Sequence, residues 1–316
     1  MGPWDRLLPM LAPLVLGAVA GRLGAFPDAT GAITALNRYV LTFAFPALMF
    51  GAVARAPGSL PSAAFVLAHG AIFAAGIACA AGLGRLLRDR PARGALALGG
   101  LFGNVVYLGL PVVEGTLGSH HLPAASVGAS IHMGLALLVG PALLVRWGGD
   151  EALPWSATAR RVAAQPLVWA PLVGLAARGL PPPALEAVWL PLDAISRSAS
   201  PVALFLLGLY LWVRRADVRR LDTAAAAILA CKLAVLPAAA LATALLLTRV
   251  AGLQPAEARV LLVLAAAPVA ITTFSIAHEH GLGEQAIAKA IVASTLASLV
   301  TFALGAHLAL TLWPPS

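Results

Sequence analysis

Apolar runs long enough to cross a membrane recur along the whole chain, separated by short stretches rich in Arg, Pro and Gly. They fall near residues 7–21, 36–53, 63–83, 94–113, 122–145, 162–177, 195–213, 224–247, 260–277 and 286–312. A helix rises about 1.5 Å per residue, so runs of about 20 residues span a hydrocarbon core of about 30 Å. The pattern predicts an all-α membrane protein of ten transmembrane helices. The first run ends in Ala18-Val19-Ala20, which also resembles a leader cleavage site, but it has a second copy later in the chain and only Arg6 ahead of it. It reads as a retained span.

Composition agrees with that solvent. Of the 316 residues 60% are hydrophobic and 11% charged, against roughly 25% charge in a soluble domain. A net charge of +8 would raise nucleic-acid binding in a soluble chain. Here the arginines sit in short loops, where anionic lipid headgroups are the expected partner and nucleic acid is not. With ten spans, one side of the membrane collects Arg85, Arg88, Arg90, Arg93, Arg160, Arg161, Arg214, Arg215, Arg219 and Arg220 with Arg22, Arg38, Arg146 and Lys289; the other holds only Arg6, Arg55, Arg178, Arg249 and Arg259. The positive-inside rule then places both termini outside the cytoplasm. Cys79 and Cys231 both fall in spans, which predicts neither a disulfide framework nor thiol catalysis.

The chain repeats itself. Ala12-Pro13-Leu14-Val15 recurs as Ala170-Pro171-Leu172-Val173, Gly17 as Gly174, Arg22 as Arg178, Pro46 and Phe50 as Pro201 and Phe205, and Pro111 as Pro268, all at nearly one offset. Each unit holds five spans, an odd number, so the second copy enters the membrane from the opposite face. The halves are residues 1–148 and 162–316, joined by a short cytoplasmic linker over 149–161. Inverted repeats of this kind characterise secondary transporters, because the halves can exchange conformations around one central site.

The fourth and ninth spans both carry a proline, Pro111 and Pro268. Proline removes an N–H and clashes with the carbonyl one turn back, so each span should kink or unwind and leave backbone groups that only a polar cavity can satisfy. If the broken spans cross, their half-helix N-termini favour an anion such as a carboxylate. Asn104, Thr272, Thr273 and Ser275 are the side chains placed to line the cavity, although Ser and Thr in membranes also bond their own helix backbone.

The stretch Asn104-V-V-Y-L-G-L-Pro111 resembles the N-x6-P segment of the auxin efflux carrier family. Leu36-N-R-Y-V-L-T-F-A-F-Pro46-A-L-M-Phe50, Ala203-L-F-L-L-Gly208-L, and Ala267-Pro268 followed by Ala277-His278-Glu279-His280-Gly281 resemble it too, in the right order and over nearly the whole chain. The resemblance implies a ten-helix inverted repeat, with broken helices 4 and 9 crossing. It also implies a scaffold of helices 1, 2, 6 and 7 that often dimerises, and a mobile, elevator-like transport domain of helices 3, 4, 5, 8, 9 and 10. It implies a bacterial-type inner-membrane permease for a small organic anion, with Asn104, Pro111 and Pro268 at the site. The long central loop of the plant members is missing, since Arg146 to Arg161 is short here.

Other charged residues remain. Lys232, inside the eighth span, could balance a substrate carboxylate, cycle protons, or snorkel to the interface. His132 and His69 could relay protons or simply bond a neighbouring helix. His120-His121 is loop-like, and the rings of His278-x-His280, two residues apart on a helix, would point roughly 200° apart, so neither reads as a metal site. Glu114 and Glu279 lie near span ends, where solvated carboxylates are ordinary. No cofactor is expected, and the coupling ion stays open between a proton and sodium. No grouped catalytic residues or phosphate loop occur, which argues against an enzyme or a primary pump; an anion channel or a sensor is the alternative.

Overall fold

A computed structural model describes residues 11–56, 61–148, 155–216, 221–279 and 282–315. Throughout those residues the chain is helical, with one isolated antiparallel bridge between Gly103 and Val269. The helices are α1 (Ala12–Arg22), α2 (Ala29–Ala54), α3 (Ala63–Gly84), α4 (Arg90–Leu101), α5 (Val105–Leu117), α6 (Leu122–Gly148), α7 (Trp155–Ala163), α8 (Pro166–Ala177), α9 (Pro182–Val213), α10 (Thr223–Val250), α11 (Pro255–Ala265), α12 (Thr272–Glu279) and α13 (Glu284–Leu312). Among the described residues α2, α3, α6, α9, α10 and α13 carry stretches long and apolar enough to cross a bilayer; α1, α5 and α8 are shorter apolar helices.

Several boundaries differ from those the hydrophobic pattern predicts. Asp28 accepts a hydrogen bond from Gly31 N–H at 2.8 Å and so starts α2 at Ala29, ahead of the apolar run. Arg38 and Arg259 therefore lie in helices rather than loops, and Arg259 is largely buried. Part of the expected linker is the polar helix α7.

Three helices change pitch for one reason. In α2, α5 and α10 the segments Val40–Ala44, Val105–Gly109 and Cys231–Val235 are π-helical turns, each followed one residue later by a proline: Pro46, Pro111 and Pro237. The ring of proline crowds the carbonyl one turn back. The helix widens to absorb it, and Phe45, Leu110 and Leu236 donate to carbonyls five residues back, on Val40, Val105 and Cys231. Pro111 therefore bends its helix without breaking it.

Two helix pairs set the frame around the site: α1 runs along α9, and α8 along α2. The first crossing is so close that a Cβ on Gly17 would stand 1.9 Å from the Phe205 carbonyl oxygen; in the second, a Cβ on Gly174 would stand 2.6 Å from that of Phe50. Only glycine permits such backbone contact, which is how membrane helices gain packing where the hydrophobic effect between them is weak.

Candidate functional site

The two segments expected as the fourth and ninth spans are both interrupted. Chain direction leaves α4 at Leu101 and resumes helix at Val105, and leaves α11 at Ala265 to resume at Thr272. Twelve residues of helix reach about 18 Å, roughly half a bilayer, so each interruption lies well inside the membrane.

The two unwound segments cross and pair. Asn104 N–H donates to the Pro268 carbonyl at 2.7 Å, and Ala270 N–H to that of Phe102 at 2.9 Å. Neighbouring helices take the two N–H groups between: Gly103 N–H donates to His132 Nε2 of α6 at 3.0 Å, and Val269 N–H to Ser294 Oγ of α13 at 3.1 Å. Buried backbone in a membrane must find partners, and here each break finds one in the second helix after it, α6 for the first and α13 for the second.

Asn104 ends the first break as the residue before α5. Its carbonyl receives the N–H groups of Leu108 and Gly109 at 3.3 and 3.1 Å, while its side chain caps nothing. The residue is 2% exposed and its amide Nδ2 has no hydrogen-bond partner. An idle buried amide donor costs about 1–3 kcal/mol, so a group that can accept from it is well placed at this point.

Of the other residues singled out from sequence, Pro268 lies in the second break and Thr273 at the start of α12. The hydroxyl of Thr273 donates to the Ala270 carbonyl at 2.6 Å, so it serves its own backbone first. Thr272 opens α12 half-buried. The side chain of Ser275 lies outside the described residues, as does His280. Pro111 is buried six residues beyond Val105; the helix distorts next to it as a π-helical turn, while the unwound residues lie ahead of that turn at Phe102 to Asn104. Neither Lys232 nor His132 stands apart. A Cβ on Gly103 would meet Lys232 Nζ at 2.6 Å and His132 Nε2 at 3.4 Å, so both reach the crossing itself. Lys232 is 1% exposed and does not snorkel.

Beside the crossing is a cavity of about 30 Å³, lined by Lys232, His132, His69, Gly128, Val105 and Leu101 among others. Each imidazole already has a partner. His132 Nε2 accepts from Gly103, which requires an unprotonated nitrogen there, and His69 Nδ1 bonds the Phe65 carbonyl, which requires a proton on it. His120 and His121 stack on each other beyond α5, and no group of three or more metal-binding side chains gathers among the described residues.

Sequence reasoning missed several of these parts. Gly103 and Ser294 carry the crossing, but a single glycine or serine in an apolar span gives no local signal. Asn37 of α2 accepts a hydrogen bond from the Tyr107 hydroxyl of α5, tying the second half of the broken span to a frame helix; its place in the Leu36-to-Phe50 stretch could have drawn attention to it.

A family model described as "Membrane transport protein" matches residues 5–147 and 155–305. A "Putative malonate transporter" of Rhizobium meliloti (strain 1021) is 27% identical over 304 residues, covering 93% of this chain and 92% of that protein. Matched along nearly its whole length and built around two crossing interrupted spans, the chain belongs to the membrane transport protein family, the auxin efflux carriers that its Asn104-to-Pro111 stretch resembles.

Proposed function

We propose that the protein is a secondary carrier that moves a small carboxylate across a bacterial-type inner membrane by alternating access, with the substrate held where the broken spans cross. The observation that carries this reading is Asn104: an amide fully buried beside two half-helix N-termini, with its donor unmet. Helix N-termini and a free N–H donor favour an anion over a neutral solute. Malonate is the first substrate to test, because a relative along the whole chain bears that name.

Two five-span halves of opposite orientation underlie the mechanism. The residues matched between halves by sequence make matching contacts: Gly17 backs onto Phe205, and Gly174 onto Phe50. Likewise one N–H of each break is met by the second helix after it, α6 or α13. In this reading α1, α2, α8 and α9 are the scaffold, on which a second copy docks, and α3 to α6 with α10 to α13 move past it. Both termini face away from the cytoplasm.

The test is thermal unfolding of the purified protein against malonate, succinate, acetate and indole acids, on wild type and Asn104→Ala. Malonate or a near relative should raise the wild-type melting temperature, and the variant should lose at least about tenfold in affinity, the worth of a hydrogen bond to a charged group. Equal stabilisation of both proteins moves the site elsewhere. Stabilisation by cations or neutral solutes alone ends the anion reading.

A further inference from the structure

Lys232 is the one feature of the site that the anion reading leaves without a task. Its place on the π-helical turn of α10 aims it at Gly103 in the first break, where 1% of it is exposed. Among the described residues no ion pair and no hydrogen bond reaches its nitrogen. The groups around it offer no negative charge. From α3 come His69 and Cys79, from α6 His132, and from its own helix Cys231; α4 contributes Gly99, Gly100 and Leu101. On α13 Lys289 is already paired, with Asp222 at 2.9 Å. His69 and His132 spend one nitrogen each on backbone partners, and neither can serve as a counter-anion.

An ammonium buried without a partner is disfavoured by several kcal/mol, while a neutral amine in the same place is not. A carboxylate that reaches the crossing removes the penalty, because the ion pair it forms is then enclosed with both charges matched. The cavity beside Lys232 is about 30 Å³, room for a group the size of one carboxylate or one to two waters. Charge on the lysine and occupancy by the anion therefore rise and fall together.

We infer that Lys232 is the proton-coupling residue of this carrier: its amine takes up a proton as the substrate carboxylate binds beside Gly103 and gives it up when the carboxylate leaves on the other side. The balance is simple. One proton from water adds to the amine lone pair, crosses with the anion, and returns to water. This rests on the carboxylate reading of the crossing, and it adds the ion that drives transport. Asn104 and Lys232 meet the first break at neighbouring residues, Asn104 itself and Gly103, one giving a neutral donor and the other a charge that exists only with cargo.

The test uses the full-length protein in liposomes loaded with a pH-sensitive dye, with valinomycin and potassium clamping the potential and labelled malonate outside. Wild type should acidify the interior in step with malonate entry, a proton for each malonate. Lys232→Met should bind malonate roughly thirtyfold or more weakly, having lost the charge that a buried carboxylate needs. In Lys232→Arg the guanidinium keeps its proton throughout, so protons moved per malonate should fall to less than about a tenth of the wild-type ratio, the part of the prediction that a merely structural lysine would not produce. Malonate entry into wild-type liposomes without acidification, or driven by sodium alone, overturns the inference while leaving the carboxylate reading intact. Unchanged malonate affinity in Lys232→Met overturns it as well. Failure of wild type to take up malonate, succinate or any other carboxylate overturns both.

Discussion

The two interrupted spans are built alike and equipped differently. Each unwinds for a few residues, lends one N–H to its counterpart, and lends the N–H one residue earlier to a side chain of the second helix after it. In the first break that side chain is His132, with Lys232 against the same glycine; in the second it is Ser294, whose own hydroxyl donates onward to the Ile291 carbonyl at 3.2 Å. One arm of the crossing thus carries titratable side chains and the other a hydroxyl. The shared part solves a problem that any broken membrane helix has, namely unpaired backbone. The unshared part is where the carrier's chemistry has room to be specific.

Removing the two acceptors is the most disruptive way to probe the contrast. His132→Leu leaves the Gly103 N–H without a partner and Ser294→Ala leaves the Val269 N–H, each expected to lower stability by about 1–3 kcal/mol in thermal or denaturant unfolding. The arms separate in combination with Lys232→Met. His132 and Lys232 share contact at Gly103, so their effects should be non-additive, whereas Ser294 and Lys232 should add within about 0.5 kcal/mol. Additivity in both pairs would mean that the arms are equivalent and the proton chemistry lies elsewhere.

A gentler probe is Gly103→Ala. The added Cβ would stand 2.6 Å from Lys232 Nζ, but that nitrogen is the tip of a flexible chain and can swing aside. Stability should change by less than about 1 kcal/mol, below the usual range for overpacking. Malonate uptake should drop roughly tenfold or more, because displacement of a binding group by about an ångström is enough for that. A loss of folding with no change in uptake per folded molecule would place the ammonium outside the site.

How much of this was legible beforehand follows from what kind of signal each part sends. Spans are legible because burial in lipid demands long apolar runs, and the crossing of two interrupted helices was legible through the family resemblance of the Asn104 and Pro268 stretches rather than through the prolines themselves. The exact break in the fourth span was not legible. Pro111 drew the eye, yet a π-helical turn absorbs it, and the chain opens instead at Phe102 to Asn104, where Gly103 lets α10 approach. Lys232 could be read as buried or snorkelling, since its fate depends on Gly103, which is distant in sequence. The start of α9 at Pro182, well before the apolar run, is hidden by Asp193 and Arg197, which pair with each other at 3.0 Å one helical turn apart and so sit comfortably in a helix.

A weaker contrast of the same kind appears where α3 and α10 begin. Ser62 caps α3, accepting from Phe65 N–H at 3.2 Å, and is held in turn by Glu257 of α11, which accepts from its hydroxyl at 2.7 Å. Asp222 caps α10, accepting from Ala225 N–H at 2.8 Å, and is held by Lys289 of α13. The second cap is itself a titrating group. Partial burial pushes the Asp222 carboxyl up, but the Ala225 N–H and Lys289 together outweigh it and hold the carboxyl below its ordinary value. A carboxylate favoured in the folded state contributes stability above its unfolded value, about pH 4, and that contribution is lost as pH falls through the lower folded value. Asp222→Ala should therefore cost about 1 kcal/mol at neutral pH, as lost caps do. Asp222→Asn keeps the capping oxygen and should cost less, and its deficit against wild type should shrink below about pH 4. Ser62→Ala should show a deficit of similar size at neutral pH, since it too removes a cap. If the Asp222→Asn deficit instead stays constant down to pH 3, the ion pair with Lys289 adds nothing, and the two halves begin their helices by caps of the same kind.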